Sequence, residues 1–125
     1  MRQFIPIALI CLTVLLVGCG PKTNYDSFVQ CISDSGAKMY GAYWCPHCVE
    51  NKEAFGASKD AIPYVECSKP NRADQTPECI EAGIQSYPTW EFGDGQRIEG
   101  AMSMLQLAQR TGCSLSDEEL DSMTG

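Results

Sequence analysis

Apolar positions along the chain fall into short runs whose period changes several times. Phe28, Val29 and Ile32 recur at helical spacing and predict a helix over residues 24–35, with Gly36 placed to cap it. Residues 37–43 then read as a buried strand, and 46–55 as a helix closed by Gly56. Pro46 suits the first turn of that helix, where no intrahelical N–H bond is needed. Ile62, Tyr64 and Val65 favour a second strand over 62–67. A polar loop follows at 68–76, then a short helix over 77–82 stopped by Gly83. Residues 89–92 and 96–99 are expected to pair through a Gly93-Asp94-Gly95 turn. Ser103 and Gln106 form a capping-box signature for a last helix that runs to Thr111, with Gly112 behind it. The acidic residues 114–125 are expected to fray. The order is helix, strand, helix, strand, helix, strand, strand, helix. It predicts an α/β domain in which the first two strands are parallel across a right-handed connection and the last two form an antiparallel hairpin.

The first eighteen residues do not belong to this pattern. Arg2 precedes an almost wholly apolar run over 4–17. That run is shorter than the roughly 20 residues a membrane-spanning helix needs, and it suits the apolar region of a signal peptide. It ends in Leu16-Val17-Gly18-Cys19, which resembles the cleavage box of bacterial lipoproteins. The resemblance implies that Cys19 becomes the lipidated first residue of an exported protein, held at the periplasmic or other extracytoplasmic face of a membrane. An ordinary signal peptide or an uncleaved anchor, with Cys19 incidental, is the alternative. The expected organisation is a leader over 1–18, a tether over 19–24, one folded domain over 25–113 and an acidic tail over 114–125.

Composition narrows the picture. A chain of 125 residues, 44% hydrophobic, has room for a single small domain. A net charge of −7 argues against nucleic acid as a partner, which would require a basic stripe. Eight cysteines are present. With Cys11 in the leader and Cys19 assigned to lipid, six remain: Cys31, Cys45, Cys48, Cys67, Cys79 and Cys113. An even set in a small exported domain reads as three disulfides formed in an oxidising compartment. Six cysteines allow fifteen connectivities. Pairing Cys45 with Cys48 leaves three.

The segment Trp44-Cys45-Pro46-His47-Cys48 carries the chemistry. It spans a strand-to-helix junction, so Cys45 falls near a helix N-terminus, where unpaired N–H groups and the macrodipole favour a thiolate. A thiolate is the nucleophile of thiol–disulfide exchange, and a second thiol three residues on can resolve the mixed disulfide. Cys45 is therefore expected to attack and Cys48 to resolve. His47, between them, is expected to help stabilise the Cys45 thiolate. A zinc site would want a second ligand pair. No other Cys-x-x-Cys occurs and His47 is the sole histidine, so neither a metal nor an organic cofactor is expected.

The stretch from about residue 25 to 113 resembles a thioredoxin-like domain, with a central mixed sheet of about four strands flanked by helices. The resemblance rests on Tyr43-Trp44-Cys45-Pro46-His47-Cys48, on Tyr87-Pro88-Thr89 ahead of the hairpin, and on Gly100 before the last helix. More narrowly, Met39-Tyr40-Gly41-Ala42-Tyr43-Trp44, the pair Cys67 and Cys79, and Tyr87-Pro88-Thr89-Trp90 are similar to the thioredoxin-like domain fused to bacterial vitamin K epoxide reductase homologues. That family exchanges disulfides with folding substrates and is reoxidised by a membrane-embedded, quinone-linked partner. The resemblance implies that Pro88 is cis and, with Tyr87 and Trp44, borders the substrate surface beside Cys45 and Pro46. On that fold Cys67 and Cys79 lie towards the active-site end and would form a structural bridge, with a second redox pair as the alternative. Cys31 and Cys113 are left to tie the opposite end, unless Cys113 bonds another molecule. Tyr43, Trp90 and Phe92 are expected to pack inside.

Cytoplasmic thioredoxins carry a buried aspartate six residues ahead of the first cysteine, where this chain has Met39. Pro-His between the cysteines is also the pair of strongly oxidising periplasmic dithiol oxidases. Both features tilt the expectation towards an oxidase or isomerase of cysteine-containing exported proteins. The rivals are a reductase for cytochrome maturation and a non-catalytic lipoprotein that binds metal or protein.

Overall fold

The computed structural model describes residues 23–125. The apolar leader, Cys11 and the lipidation box at Cys19 lie outside the described residues. Helix α1 spans Asp26–Asp34, strand β1 Lys38–Gly41 and helix α2 Pro46–Glu53. A single 3-10 turn at Lys59–Ala61 leads into β2, Tyr64–Glu66. Helix α3 covers Pro77–Ala82, β3 Thr89–Glu91, β4 Arg97–Glu99, α4 Met104–Thr111 and α5 Asp117–Thr124.

The four strands form one mixed sheet in the order β2-β1-β3-β4. Strand β1 is parallel to β2, with Met39 opposite Tyr64 and Gly41 opposite Glu66. It is antiparallel to β3, with Met39 opposite Trp90, and β3 is antiparallel to β4. This is the α/β, thioredoxin-like architecture. The strands are shorter than the apolar runs suggest. On β2 the reason is Pro63, which has no N–H for the ladder. Its carbonyl still accepts from Met39 N at 2.8 Å, so pairing starts one residue before the strand.

Side chains alternate across β1 as the pleat requires. Met39 joins the main core with Phe28 and Ile32 of α1, Cys48 of α2, Trp90 of β3 and Leu107 of α4. Tyr40 faces the other way, into a smaller cluster with Cys67, Cys79 and Ile84. The α2 helix is fastened by one buried polar residue. Asn51 donates to Met102 O at 2.8 Å, and its Oδ1 accepts from Trp90 Nε1 at 3.0 Å and Met102 N at 3.2 Å. Both ends of the side-chain amide are thus satisfied, as a buried amide requires.

Two expectations are corrected here. Residues 117–124 do not fray: Ser116 and Glu119 complete a reciprocal capping box, and Leu115 and Met123 pack on the main core. The α5 helix is further tied by a hydrogen bond between Tyr25 Oη and Ser122 Oγ, 2.7 Å apart. Tyr43 does not pack inside either. The strand ends at Gly41, so the period-two alternation no longer applies at position 43, and this side chain is half exposed.

Candidate active site

The interior strand β1 delivers the chain to one end of the sheet, and a turn at 42–45 sends it into α2. Cys45 is the N-cap of that helix, with extended backbone at φ −76° and ψ 118°. Its Sγ accepts from Cys48 N at 3.3 Å, which satisfies one of the unpaired donors of the first turn. Pro46 occupies the first helical position. Cys48 lies one turn inward. The Cys45 thiol also reaches the Tyr87 carbonyl at 3.7 Å. The Tyr87–Pro88 peptide bond is cis, and Pro88 is fully buried beneath the site. Residues 42 positions apart in sequence therefore meet at the sulfur of Cys45.

Around this point the surface is aromatic. Trp44 stands partly exposed, edge-on to Tyr87 with ring centroids 6.1 Å apart, and its Nε1 donates to Ser68 Oγ at 2.7 Å. The Arg72 guanidinium stacks 5.8 Å from the Trp44 ring. Tyr43 Oη donates to Pro70 O at 3.1 Å. The polar loop 68–76 thus forms a wall of the site, and Gln75 ties it to Tyr87 Oη at 2.8 Å and to Ile84 O at 2.9 Å. His47 points away from this wall. Its side chain is about three-quarters exposed, with Nδ1 3.8 Å from Glu50 Oε2.

Behind Cys48 the setting changes. Burial pushes the Cys48 thiol from an ordinary value of 9.0 up to about 12. Its hydrogen bond with Cys45 and the charges of Cys45 and Glu66 add to this, while a backbone hydrogen bond from Ala42 opposes it. Tyr64 is pushed up too, by burial first and then by its bond to Glu66. Sequence reasoning passed over Tyr64 and Glu66. They lie on a neighbouring strand, and the signal that could have flagged them is the parallel register of β1 and β2.

Among the described residues, the remaining four cysteines are bonded. Cys67 and Cys79 form a disulfide with Cα atoms 5.4 Å apart, at the end of the sheet where β1 delivers Cys45. Cys31 and Cys113 form the second, with Cα atoms 5.8 Å apart. That bond joins the last turn of α1 to the residue just past the Gly112 cap of α4, at the opposite end, where Arg110 also pairs with Asp94 of the β3–β4 turn at 2.8 Å. Cys45 and Cys48 carry free thiols. Among the described residues, no three His, Cys, Asp or Glu side chains cluster as a metal ion would require.

No family model matches the chain. It is similar to the thiol-disulfide oxidoreductase LTO1 of Arabidopsis thaliana, at 42% identity over 89 residues. The match takes in 67% of this chain but only 23% of that protein. The chain thus spans about a quarter of the relative's length, and the likeness supports a thiol–disulfide oxidoreductase domain.

Proposed function

We propose that the protein is an extracytoplasmic thiol–disulfide oxidoreductase that exchanges disulfides with cysteine-containing exported proteins. The observation that carries this reading is the seat of Cys45. Its sulfur accepts an N–H at the mouth of α2 and borders the Tyr87 carbonyl, with a second thiol one turn behind it. In the oxidising direction, a substrate thiolate attacks Cys45 Sγ of the Cys45–Cys48 disulfide, and Cys48 leaves as a thiolate. A second substrate thiolate then attacks the substrate sulfur of the mixed disulfide and releases Cys45. Two electrons pass from the substrate to the Cys45–Cys48 pair. Pro88 and Tyr87 present a backbone edge, and Trp44 an aromatic flank, against which an extended peptide can lie.

Oxidation or isomerisation is favoured over reduction. The Pro46-His47 pair puts an ionisable ring beside the first cysteine, and Met39 supplies no carboxylate where thioredoxins keep one. The His47 ring lies on the solvent side of the helix start. A lipid on Cys19 would keep the domain beside a membrane-embedded, quinone-linked oxidase that restores the disulfide.

The test is the Cys45–Cys48 potential against glutathione. A value between about −120 and −200 mV supports an oxidant or isomerase, and one near about −270 mV a reductase. Cys48→Ala should freeze mixed disulfides at Cys45, and exported proteins released from it by reductant would name the substrates. A chain that traps none and exchanges no disulfides with a reduced, unfolded protein is not an oxidoreductase.

A further inference from the structure

Strand β2 places Tyr64 opposite Met39 and Glu66 opposite Gly41, so the two side chains share one face of the strand. Gly41 has no side chain, and this opens a space between the strands and α2. A Cβ there would stand 2.9 Å from Cys48 Sγ, 2.9 Å from Tyr64 Cε2 and 3.2 Å from Tyr64 Oη. The thiol and the phenol therefore border the same small gap. Tyr64 Oη donates to Glu66 Oε2 at 2.8 Å. The other carboxylate oxygen accepts from Tyr43 N at 3.2 Å and Ser68 N at 2.9 Å, which holds Glu66 in place from the backbone. A cavity of about 140 Å³ is lined by Cys48, Tyr64 and Glu66 together, with the volume and polar lining a bridging water requires.

We infer that Tyr64 and Glu66 form the proton path of Cys48, with the Glu66 carboxylate as the terminal acceptor and the Tyr64 hydroxyl as the link. The inference rests on the thiol–disulfide exchange reading above. When a mixed disulfide at Cys45 is resolved, the Cys48 proton passes across the gap to Tyr64 Oη as the phenol proton passes to Glu66. Cys48 Sγ then bonds Cys45 Sγ, and the substrate sulfur leaves with the electron pair. In the oxidising direction the same path returns the proton to the departing Cys48 thiolate. Tyr64 and Glu66 act only through Cys48 and are positioning residues.

Other charged groups also face this gap. Helix α2 brings Lys52 and Glu53, with Lys52 Nζ 4.3 Å from the Tyr64 ring centroid. The 3-10 turn brings Asp60 and Lys59, the latter bonded to Glu53 at 2.7 Å. Of the three carboxylates, Glu66 is the one bonded to the phenol that borders Cys48. Burial that raises the Cys48 thiol gives such a path something to do at neutral pH.

The test uses the reduced full-length chain in detergent micelles, mixed with oxidised glutathione and quenched in acid. Mass analysis separates formation of the Cys45–glutathione mixed disulfide from its closure by Cys48. Glu66→Gln should slow closure about tenfold at neutral pH and move its pH profile upward, leaving formation within about twofold. Tyr64→Phe should move the same profile by a smaller factor, and it decides alone if Glu66→Gln does not fold. Closure unchanged in both variants, or formation and closure slowed together with the profile unmoved, overturns the relay. A wild-type chain that forms no mixed disulfide overturns the exchange reading itself.

Discussion

Two cysteine pairs lie at one end of the same sheet, after neighbouring strands, and they have opposite fates. Cys67 and Cys79 are joined and wholly enclosed, in a cluster with Tyr40 and Ile84. Cys45 and Cys48 are free thiols, yet only 5% and 1% exposed. Burial alone therefore does not separate a reactive pair from an inert one. The surroundings do. Cys45 has a helix N–H on its sulfur and exposed Trp44 and His47 beside it, and Cys48 backs onto a cavity that holds a phenol and a carboxylate. Around Cys67 and Cys79 the packing is chiefly apolar, and an apolar setting disfavours the thiolate that exchange requires.

The sharpest way to break this contrast is to delete each pair in turn. Cys45→Ala should cut exchange with a reduced, unfolded protein by about a thousandfold or more. Removing Cys67 and Cys79 together should leave the exchange rate within about threefold and lower unfolding stability by about 2–4 kcal/mol. A comparable loss of exchange in the second variant would make Cys67–Cys79 a relay.

The Cys31–Cys113 bond tests the far end of the sheet, away from both pairs. It closes a loop of 82 residues, so its removal should cost about 4 kcal/mol in denaturant unfolding, more than the 12-residue Cys67–Cys79 loop. The potential of Cys45–Cys48 should not change.

Asn51→Ala asks how firmly α2 must be held for its first turn to work. It leaves Trp90 Nε1 and both Met102 backbone groups without their partner, and a loss of about 2–3 kcal/mol in stability is expected. If α2 is positioned mainly by this residue, the mixed-disulfide rate at Cys45 should fall as well.

The smallest effect concerns pH. The Cys48 thiol is raised on folding, so the folded reduced protein holds its proton where the unfolded chain has lost it. That contribution is fully present below pH 9 and is lost as pH rises towards about 12. The oxidised protein has no such thiol. Melting curves of the two redox forms should therefore draw apart above pH 9, with the reduced form losing stability faster. Parallel curves between pH 8 and 10.5 would contradict the assigned direction.

What was legible in the sequence was mostly short-range. The Ser103–Gln106 capping box and the Cys45–Cys48 spacing each lie within one helical turn, and their partners are bonded as neighbours. Ser116 and Glu119 carry the same capping signature, and the acidity of residues 114–125 hid it. That charge is tolerable because three acidic residues sit in the first turn, where the helix dipole favours them. Tyr43 was misplaced because the buried strand was carried two residues past the point where β1 ends. The Tyr64–Glu66 pair was missed because the thiol it borders, Cys48, lies on another element and meets Tyr64 only across the gap at Gly41.

Sequence by itself determined the element order as far as α4, the cysteine spacing and the placing of Cys45 at a helix start, because hydrogen bonds to the next turn depend only on nearby residues. Cysteine spacing reduced six cysteines to three pairings, and the resemblance to thioredoxin-like domains implied the one that forms. Tertiary structure alone decided that the Tyr87 carbonyl reaches Cys45 and that a glycine on β1 opens a gap between Cys48 and Tyr64. Those contacts depend on which strands lie side by side and in what register, and register is set by the packing of both faces of the sheet at once.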